Sequence, residues 1–382
     1  MNQPISKISV LGATGSIGRQ TLDVAERQNL RVTAIAAGTN VKAMKEAVRR
    51  FRPAFAAMRD ETAAEQLKLA LADTDTRVAG GEEAVLEAAR WEADMTVASI
   101  VGIAGLRPCM AAIEAGHDLA LANKEALVCG GALVTRAAKE KGVRILPVDS
   151  EHSAVYQCLQ GHKNKRKILL TASGGPFFGK TRAELADVTV ADALAHPNWS
   201  MGAKITIDSA TMVNKGLELI EACWLFGVDE SAIEILVHRQ SIVHSMVEFA
   251  DGAVIAQLGV PDMRVPIAYV LLGPDRVDFG AARLDFASLA SLTFAQPDEA
   301  TFPATRLARE VHRAGGSKPI VFNGANEAAV AAFLAGKIKF LAITDLVAQA
   351  VADLPAMPVD SIDAILEADR AAREYVEKLQ KA

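Results

Sequence analysis

Short apolar runs alternate with amphipathic stretches through the first third of the chain. Residues 7–11 read as a strand, 19–27 as a helix and 31–37 as a strand. Strand-like and helical stretches then follow in turn at 54–58, 63–71, 82–90, 95–100 and 106–114. A strand at 118–122, a helix at 132–141 and a strand at 143–146 continue the rhythm. Such alternation predicts a doubly wound parallel sheet. Beyond it, 153–160 reads as helix, 168–171 as strand and 212–226 as a strong, largely buried helix. Strands at 233–238, 243–249 and 254–259 predict a second sheet, antiparallel or mixed, followed by a helix at 265–272. Residues 273–299 have weak periodicity and read as a linker. From Ala304 the chain is mostly helical, with breaks at Gly315-Gly316, Gly324 and Gly336, and Asn323 to Glu327 are expected to open one of the helices.

The glycines give the first apolar run its chemistry. Gly12, Gly15 and Gly18 follow the strand at 7–11 and lead into a helix. A strand feeding a glycine-rich turn at a helix N-terminus suits a phosphate, because backbone N–H groups and the helix dipole face the anion. The expected fold is therefore α/β: an N-terminal Rossmann-like doubly wound parallel sheet, a central α/β catalytic domain with a second sheet, and a C-terminal helical domain. The boundaries expected are 1–149, 150–274, a linker at 275–299, and 300–382. The second strand ends at Ala36-Ala37-Gly38-Thr39-Asn40, with Lys42 beyond. A free ribose 2′-hydroxyl would call for Asp or Glu there. None is present, which favours NADP over NAD; the competing reading of 38–40 is a turn and helix cap. Asn123, Lys124 and Glu125, at the end of the strand at 118–122, are site candidates, with Asn123 as a helix cap the alternative.

Asp149, Ser150, Glu151 and His152 follow the strand at 143–146, after Pro147 and Val148. On an extended backbone residues two apart point to one side, so Asp149 and Glu151 are expected to converge on a hard cation. Small residues around Ser173 would leave its hydroxyl and nearby N–H groups free to hold an anion. Gly174 to Thr181 fits the spacing of a nucleotide-binding P-loop. Pro176 removes one N–H and two phenylalanines crowd the loop, so a phosphate-holding loop centred on Ser173 is preferred. His196 to Gly202 carries a tryptophan that turn chemistry does not require and reads as a lid, against the plainer alternative of Trp199 packed beneath its loop. Asn214, Lys215 and Glu218 share one helical face. Apolar neighbours on the same helix argue against a simple surface ion pair. His238 and His244 lie on strands of the second sheet, where a structural and a functional reading both stand.

Composition narrows the class. Of 382 residues, 51% are hydrophobic and 23% charged, with a net charge of −5. No basic block interleaved with aromatics points to nucleic acid or an anionic membrane. The basic run at 163–167 reads as a solvated turn. No apolar run approaches the ~20 residues of a membrane span, and residues 1–7 carry no pattern of a secretion signal. The scattered Cys109, Cys129, Cys158 and Cys223 fit reduced thiols in a cytoplasmic protein.

Taken in order, residues 12–18, 122–125, 147–153, 173–177, 196–202, 208–222, 238–247 and 259–268 resemble 1-deoxy-D-xylulose 5-phosphate reductoisomerases over nearly the whole chain. The resemblance implies NADPH, a divalent cation (Mg²⁺ or Mn²⁺, with Co²⁺ a further option), a phosphorylated sugar substrate and a homodimer. It implies rearrangement and reduction of 1-deoxy-D-xylulose 5-phosphate to 2-C-methyl-D-erythritol 4-phosphate in the non-mevalonate isoprenoid route. Position by position, it implies Asp149, Glu151 and Glu218 as metal ligands, with Lys124 joining them among the catalytic residues. Ser173, Ser209, Asn214 and Lys215 would hold phosphate, Ser150 and Lys124 would contact substrate near the metal, and His196, Trp199 and Met201 would belong to the lid. Thr14, Gly15, Ser16, Ile17, Gly38, Asn40, Asn123 and Glu125 would line the cofactor. Two positions depart from the family pattern: Thr39, where a basic residue is frequent, and Arg239, where proline is common. The alternatives are another NADP-dependent dehydrogenase of the semialdehyde type, which needs a cysteine nucleophile, and a P-loop ATPase or kinase.

Overall fold

The structure, a computed structural model, describes residues 5–199, 201–273 and 275–380. Ser200, inside the stretch read as a lid, and Pro274, at the expected end of the central domain, lie outside the described residues. The chain divides into two compact units. The first comprises residues up to 126 with 134–153 and 262–282; the second comprises 127–133, 154–261 and 283–382.

In the first unit, β1 (Lys7–Leu11), β2 (Arg31–Ala37), β3 (Phe55–Met58), β4 (Arg77–Gly80), β5 (Met95–Ala98), β6 (Asp118–Leu121) and β7 (Ile145–Pro147) form one sheet. Its order is β4-β3-β2-β1-β5-β6-β7 and every pairing is parallel. Strands buried on both faces read as unbroken apolar runs, and β1, β2, β3 and β5 are buried almost throughout. Edge strand β4 was not expected: Arg77-Val78-Ala79-Gly80 is only half-buried and has no such run. Strand order reverses between β1 and β5. Doubly wound sheets bind ligands at this point, beyond the carboxyl ends of the strands.

Helix Ser16–Arg27 follows β1 through the glycine turn. Gly12 sits at φ +86, and a Cβ there would lie 2.7 Å from the Ser99 carbonyl oxygen beyond β5. A Cβ on Gly18 would lie 2.2 Å from the Gly12 carbonyl oxygen and 2.6 Å from the Ala13 Cα, so the helix packs on bare backbone. Helix Arg264–Leu272 packs on helix Ser16–Arg27, and Arg264 Nη1 donates to Asp23 Oδ2 at 3.3 Å. That packing groups 262–282 with the dinucleotide-type sheet, whereas the sequence attached most of it to the central domain.

Helix Glu125–Lys141 begins at Glu125 rather than at the expected Ala132. Gly130 and Gly131 had masked its first turns. Gly130 is a kink at φ −119 and ψ 16, and a Cβ on Gly131 would meet the Trp224 ring at 2.4 Å.

The second unit carries β8 (Lys165–Ala172), β9 (Ile233–Val237), β10 (Val243–Phe249) and β11 (Val254–Leu258) in the order β11-β10-β8-β9. β8 and β9 are parallel, and β10 runs antiparallel to β8 and β11, so the sheet is mixed. The basic run lies half inside β8 rather than in a turn. Arg166 pairs across the strands with Glu248, and Lys167 Nζ donates to Glu234 Oε2 at 2.8 Å. Such cross-strand pairs stabilise a sheet face. Ala295 makes an antiparallel bridge to Val237, with N–H···O bonds of 2.8 and 2.9 Å, so the linker stretch is tied to the β9 edge.

The helix expected over 212–226 is entered from a second helix that the sequence did not reveal. Asp208 to Ala210 close helix Ala203–Ala210, and Met212, at φ 62, turns the chain into helix Val213–Phe226. The earlier helix was hidden by its β-branched Ile205, Thr206 and Ile207, which favour strand. Helices Ala304–Ala314, Lys318–Leu334, Phe340–Asp353 and Ile362–Leu379 form the C-terminal region. Asn323 to Glu327 lie in the middle of Lys318–Leu334 rather than at its start, and Gly324 is not a break. A Cβ on Gly324 would meet Asp369 Oδ1 at 2.7 Å, so this glycine permits close approach of helix Ile362–Leu379. Among the described residues no helix is long and apolar enough to cross a membrane.

Because the atoms facing Gly18 are backbone, they cannot swing aside. Gly18→Ala is expected to cost about 1–3 kcal/mol, read as a lowered urea midpoint. An unchanged midpoint would show that the turn can open without loss.

Candidate active site

In the first unit the polar residues gather beyond the carboxyl ends of the strands. Gly15 is the N-cap of helix Ser16–Arg27, in an extended conformation with no side-chain cap bond. The first-turn N–H groups are therefore available to an anion. Thr14 and Ile17 are half-buried on this turn, and Gly15 and Ser16 are exposed. After β2, Gly38, Thr39 and Asn40 are exposed. Asn40 caps helix Val41–Phe51 by accepting from Ala43 N at 3.0 Å, so the capping alternative holds for its side chain.

Asn123 is buried and heavily engaged. Its Nδ2 donates to the carbonyls of Ile100 (2.7 Å) and Gly102 (2.9 Å) and to Glu125 Oε2 (3.0 Å), while Oδ1 accepts from Ala126 N (3.0 Å). It ties the end of β6 to the loop after β5. Lys124 is buried, with Nζ 2.6 Å from Asp149 Oδ2.

The Asp149–Glu151 pair is not on extended backbone. Helix Ser150–Cys158 starts at Ser150, so Asp149 precedes the first turn and Glu151 lies within it. The convergence inferred from strand geometry is corrected: both carboxylates cluster at a helix N-terminus, where the dipole favours negative charge. Asp149 Oδ1 accepts from Glu151 N at 3.3 Å and lies 3.6 Å from His152 Nδ1, and Ser150 Oγ donates to Glu151 Oε2. Burial alone would raise the Asp149 carboxyl, but Lys124 and His152 outweigh it and hold it well below the usual carboxylate range. It is an ionised oxygen donor at neutral pH.

In the second unit, Ser173 follows β8 in a loop where Gly174 and Gly175 take φ of +75 and +64. A Cβ on Gly175 would lie 2.7 Å from the Ser209 carbonyl oxygen, so this loop lies against the end of helix Ala203–Ala210. His196 Nδ1 accepts from the backbone N–H groups of Asn198 (3.2 Å) and Trp199 (3.0 Å). The neutral ring therefore carries its proton on Nε2, which donates to Ser173 Oγ at 3.0 Å. Gly175 N also donates to that oxygen, at 3.2 Å. Both Ser173 lone pairs are thus used, and the hydroxyl proton is left to donate to an anion. The P-loop spacing has no matching structure: Gly174 to Thr181 lead only to a single 3₁₀ turn, Ala183–Leu185, not to a helix N-terminus.

Asn214 and Lys215 lie in the first turn of helix Val213–Phe226. Lys215 and Glu218 are buried; Lys215 Nζ donates to Glu218 Oε2 and Asn214 Nδ2 to Glu218 Oε1, so the shared face expected from the spacing is present. Ser209 and Met201 are half-buried. Trp199 is half-buried with its ring 6.1 Å from that of His244, so the lid stretch carries a tryptophan partly packed on β10. His238 stacks on Phe294 at 4.8 Å and its Nδ1 donates to Thr293 O at 2.8 Å, a structural role in the sheet edge.

Several polar partnerships here left no sequence signal. Asp208, fully buried, accepts from Asn326 Nδ2 at 2.8 Å and pairs with Lys204 Nζ at 2.7 Å. The Lys204–Asp208 spacing of four was legible; the partner in a distant helix was not. Arg239 and Asn198 likewise meet only in three dimensions, with Asn198 Nδ2 donating to Arg239 O at 2.6 Å. The four cysteines are all buried. Burial pushes Cys109 and Cys223 up to about 12 and Cys158 up to about 11, which disfavours a thiolate nucleophile.

A parallel sheet with an uncapped glycine turn at its reversal point, and within the same unit a buried carboxylate held ionised, has the build of a nucleotide-cofactor-dependent α/β oxidoreductase. Family models for 1-deoxy-D-xylulose 5-phosphate reductoisomerase match residues 8–131, and those for its C-terminal domains match 145–226 and 258–375. The chain belongs to the 1-deoxy-D-xylulose 5-phosphate reductoisomerase family. It is 52% identical to the Agathobacter rectalis reductoisomerase over 378 residues, 98% of this chain and 100% of the relative. The solved Zymomonas mobilis reductoisomerase in complex with NADPH is 46% identical, superposes with a TM-score of 0.93 and is covered in full, as is this chain. A reductoisomerase solved with NADPH, fosmidomycin and magnesium is 40% identical, with a TM-score of 0.94 over 98% of each chain.

Burial, with the Arg239 charge adding to it, holds His196 down to about 4 from its ordinary 6.5. The unfolded chain takes up this proton near pH 6.5 and the folded ring refuses it until about pH 4. Its contribution to stability is therefore complete above pH 6.5 and is lost as pH falls through that window. An NMR titration is expected to find the ring neutral down to about pH 4; a midpoint near 6.5 would contradict the two backbone bonds to Nδ1.

Proposed function

We propose that the residues described above serve one reaction. The enzyme converts 1-deoxy-D-xylulose 5-phosphate to 2-C-methyl-D-erythritol 4-phosphate with NADPH and a divalent cation, a step of non-mevalonate isoprenoid biosynthesis. The full-length match to the family carries this reading.

Asp149, Glu151 and Glu218 are the proposed metal ligands. The fit rests on donor chemistry: carboxylate oxygens suit Mg²⁺ or Mn²⁺, and Asp149 is held ionised. When bound, the cation supplies Lewis acidity to the substrate carbonyl and hydroxyl, and NADPH supplies hydride. Ser173, Ser209, Asn214 and Lys215 hold the phosphate. Ser173 donates its hydroxyl proton, fixed in that role by His196 and Gly175. Lys215 offers its ammonium, exchanging its bond to Glu218 for the anion. Binding at this remote end orients the reacting carbons. Lys124 and Ser150 contact the substrate near Asp149, and Lys124 keeps that carboxylate charged. His196, Trp199 and Met201 form a lid that excludes water during the rearrangement. Thr14, Gly15, Ser16, Ile17, Gly38, Asn40, Asn123 and Glu125 line the cofactor, its pyrophosphate at the helix after β1. No carboxylate stands at the end of β2 to repel a 2′-phosphate.

We further infer a cytoplasmic homodimer. The tract after helix Arg264–Leu272 exposes three large apolar side chains, Phe286 (67%), Phe294 (44%) and Leu292 (38%), which a second copy could cover. Light scattering that gave a monomer mass at micromolar concentration would remove the dimer.

Asp149→Asn and Glu218→Gln are each expected to abolish turnover, followed as NADPH oxidation, while NADPH affinity stays within about threefold. Excess EDTA should stop the wild-type reaction and Mn²⁺ should restore it; full activity in EDTA would end the metal assignment. Lys215→Ala is expected to raise the KM for the sugar phosphate by roughly tenfold to a hundredfold, and an unchanged KM would remove its phosphate role.

A further inference from the structure

The loop after β8 has an unusual mechanical problem. Ser173 must present its hydroxyl in a fixed direction, yet the next two residues are glycines with positive φ. Glycine gives such a loop access to many conformations. Something must hold it.

We propose that Arg239 is a positioning residue that locks the Ser173 loop and the lid stretch into one arrangement. The inference rests on the phosphate-site reading above. Arg239 Nη1 donates to the Ser173 carbonyl oxygen at 2.9 Å and to the Gly175 carbonyl oxygen, so one planar group grips the loop on both sides of Gly174. The guanidinium is itself held over the ring of Phe178 in the same loop, 5.3 Å from its centre, which limits its freedom. The backbone of Arg239 completes the link. Its carbonyl accepts from Asn198 Nδ2 at 2.6 Å, and the same Nδ2 reaches Ser241 Oγ at 2.9 Å. Asn198 N in turn donates to His196 Nδ1, and His196 Nε2 donates to Ser173 Oγ. The bonds close a ring: Arg239 to the Ser173 loop, Ser173 to His196, His196 to Asn198, and Asn198 back to Arg239. A guanidinium can serve two carbonyls in fixed directions, whereas an ammonium is a point charge on a flexible stem. The positive charge also helps keep His196 neutral, consistent with its Nδ1 acting as an acceptor.

The test uses full-length Arg239→Gln and Arg239→Lys, with Ser173→Ala and Lys215→Ala as controls. Steady-state kinetics are measured with NADPH and 1-deoxy-D-xylulose 5-phosphate, and inorganic phosphate is titrated as a competitive inhibitor. In both Arg239 variants the sugar-phosphate KM and the phosphate inhibition constant are expected to rise together by roughly tenfold, with kcat and the NADPH KM within about twofold. Full rescue by lysine would mean that charge alone matters and would overturn the positioning role. So would an unchanged KM in Arg239→Gln, or a parallel loss of kcat, NADPH binding and thermal stability, which marks a merely structural residue. If the two control variants also leave KM and phosphate inhibition untouched, the phosphate-site reading itself falls. If the controls respond and the Arg239 variants do not, only this inference falls.

Discussion

A carboxylate removed from water stays ionised only if a cation and hydrogen-bond donors replace the lost solvent. Three lysines meet that constraint here. Lys124 pairs with Asp149 in the first unit, and Lys204 with Asp208 and Lys215 with Glu218 in the second. Each pair is substantially buried, and each includes or adjoins a residue proposed to touch metal or phosphate. Buried pairs of this kind are poor stabilisers, because desolvation offsets the Coulomb gain. Their value is that charge is held in place before ligands arrive. In the proposed site a phosphate would take over Lys215 and a cation would take over Glu218, both on the one helix Val213–Phe226.

Hydrogen-bond direction does for the proposed anion site what ion pairing does for the carboxylates. His196 is a neutral acceptor at Nδ1 and a donor at Nε2, so Ser173 is left with one role, donation. Burial of the imidazole, with the Arg239 charge beside it, keeps that assignment stable over the physiological range. The same geometry disposes of the competing nucleotide loop. Gly174 and Gly175 are arranged around the Ser173 hydroxyl and the Ser209 carbonyl, and no helix follows to supply the N–H cradle of a P-loop. A cysteine-based dehydrogenase fares no better, since the thiols are all buried and those of Cys109, Cys158 and Cys223 are pushed up by that burial.

The sequence alone determined whatever depends on neighbours along the chain. A strand, a glycine turn and a helix are local, so the phosphate turn after β1 and the parallel-sheet rhythm were legible, as was the shared face of Asn214, Lys215 and Glu218. Local rules also misled where two structures share one pattern. Asp149 and Glu151 looked extended but lie at a helix start, and Gly324 looked like a break but makes room for Asp369. Edge strand β4 and helix Ala203–Ala210 were missed because pairing and packing outweigh their weak intrinsic preferences. Only the tertiary structure decided the partners: Asn326 for Asp208, Arg239 for the Ser173 loop, and helix Arg264–Leu272 for the first sheet. Those contacts join residues far apart in the chain. No periodicity records them, because a side chain's hydrogen-bond partner is chosen by the fold and not by its neighbours in sequence.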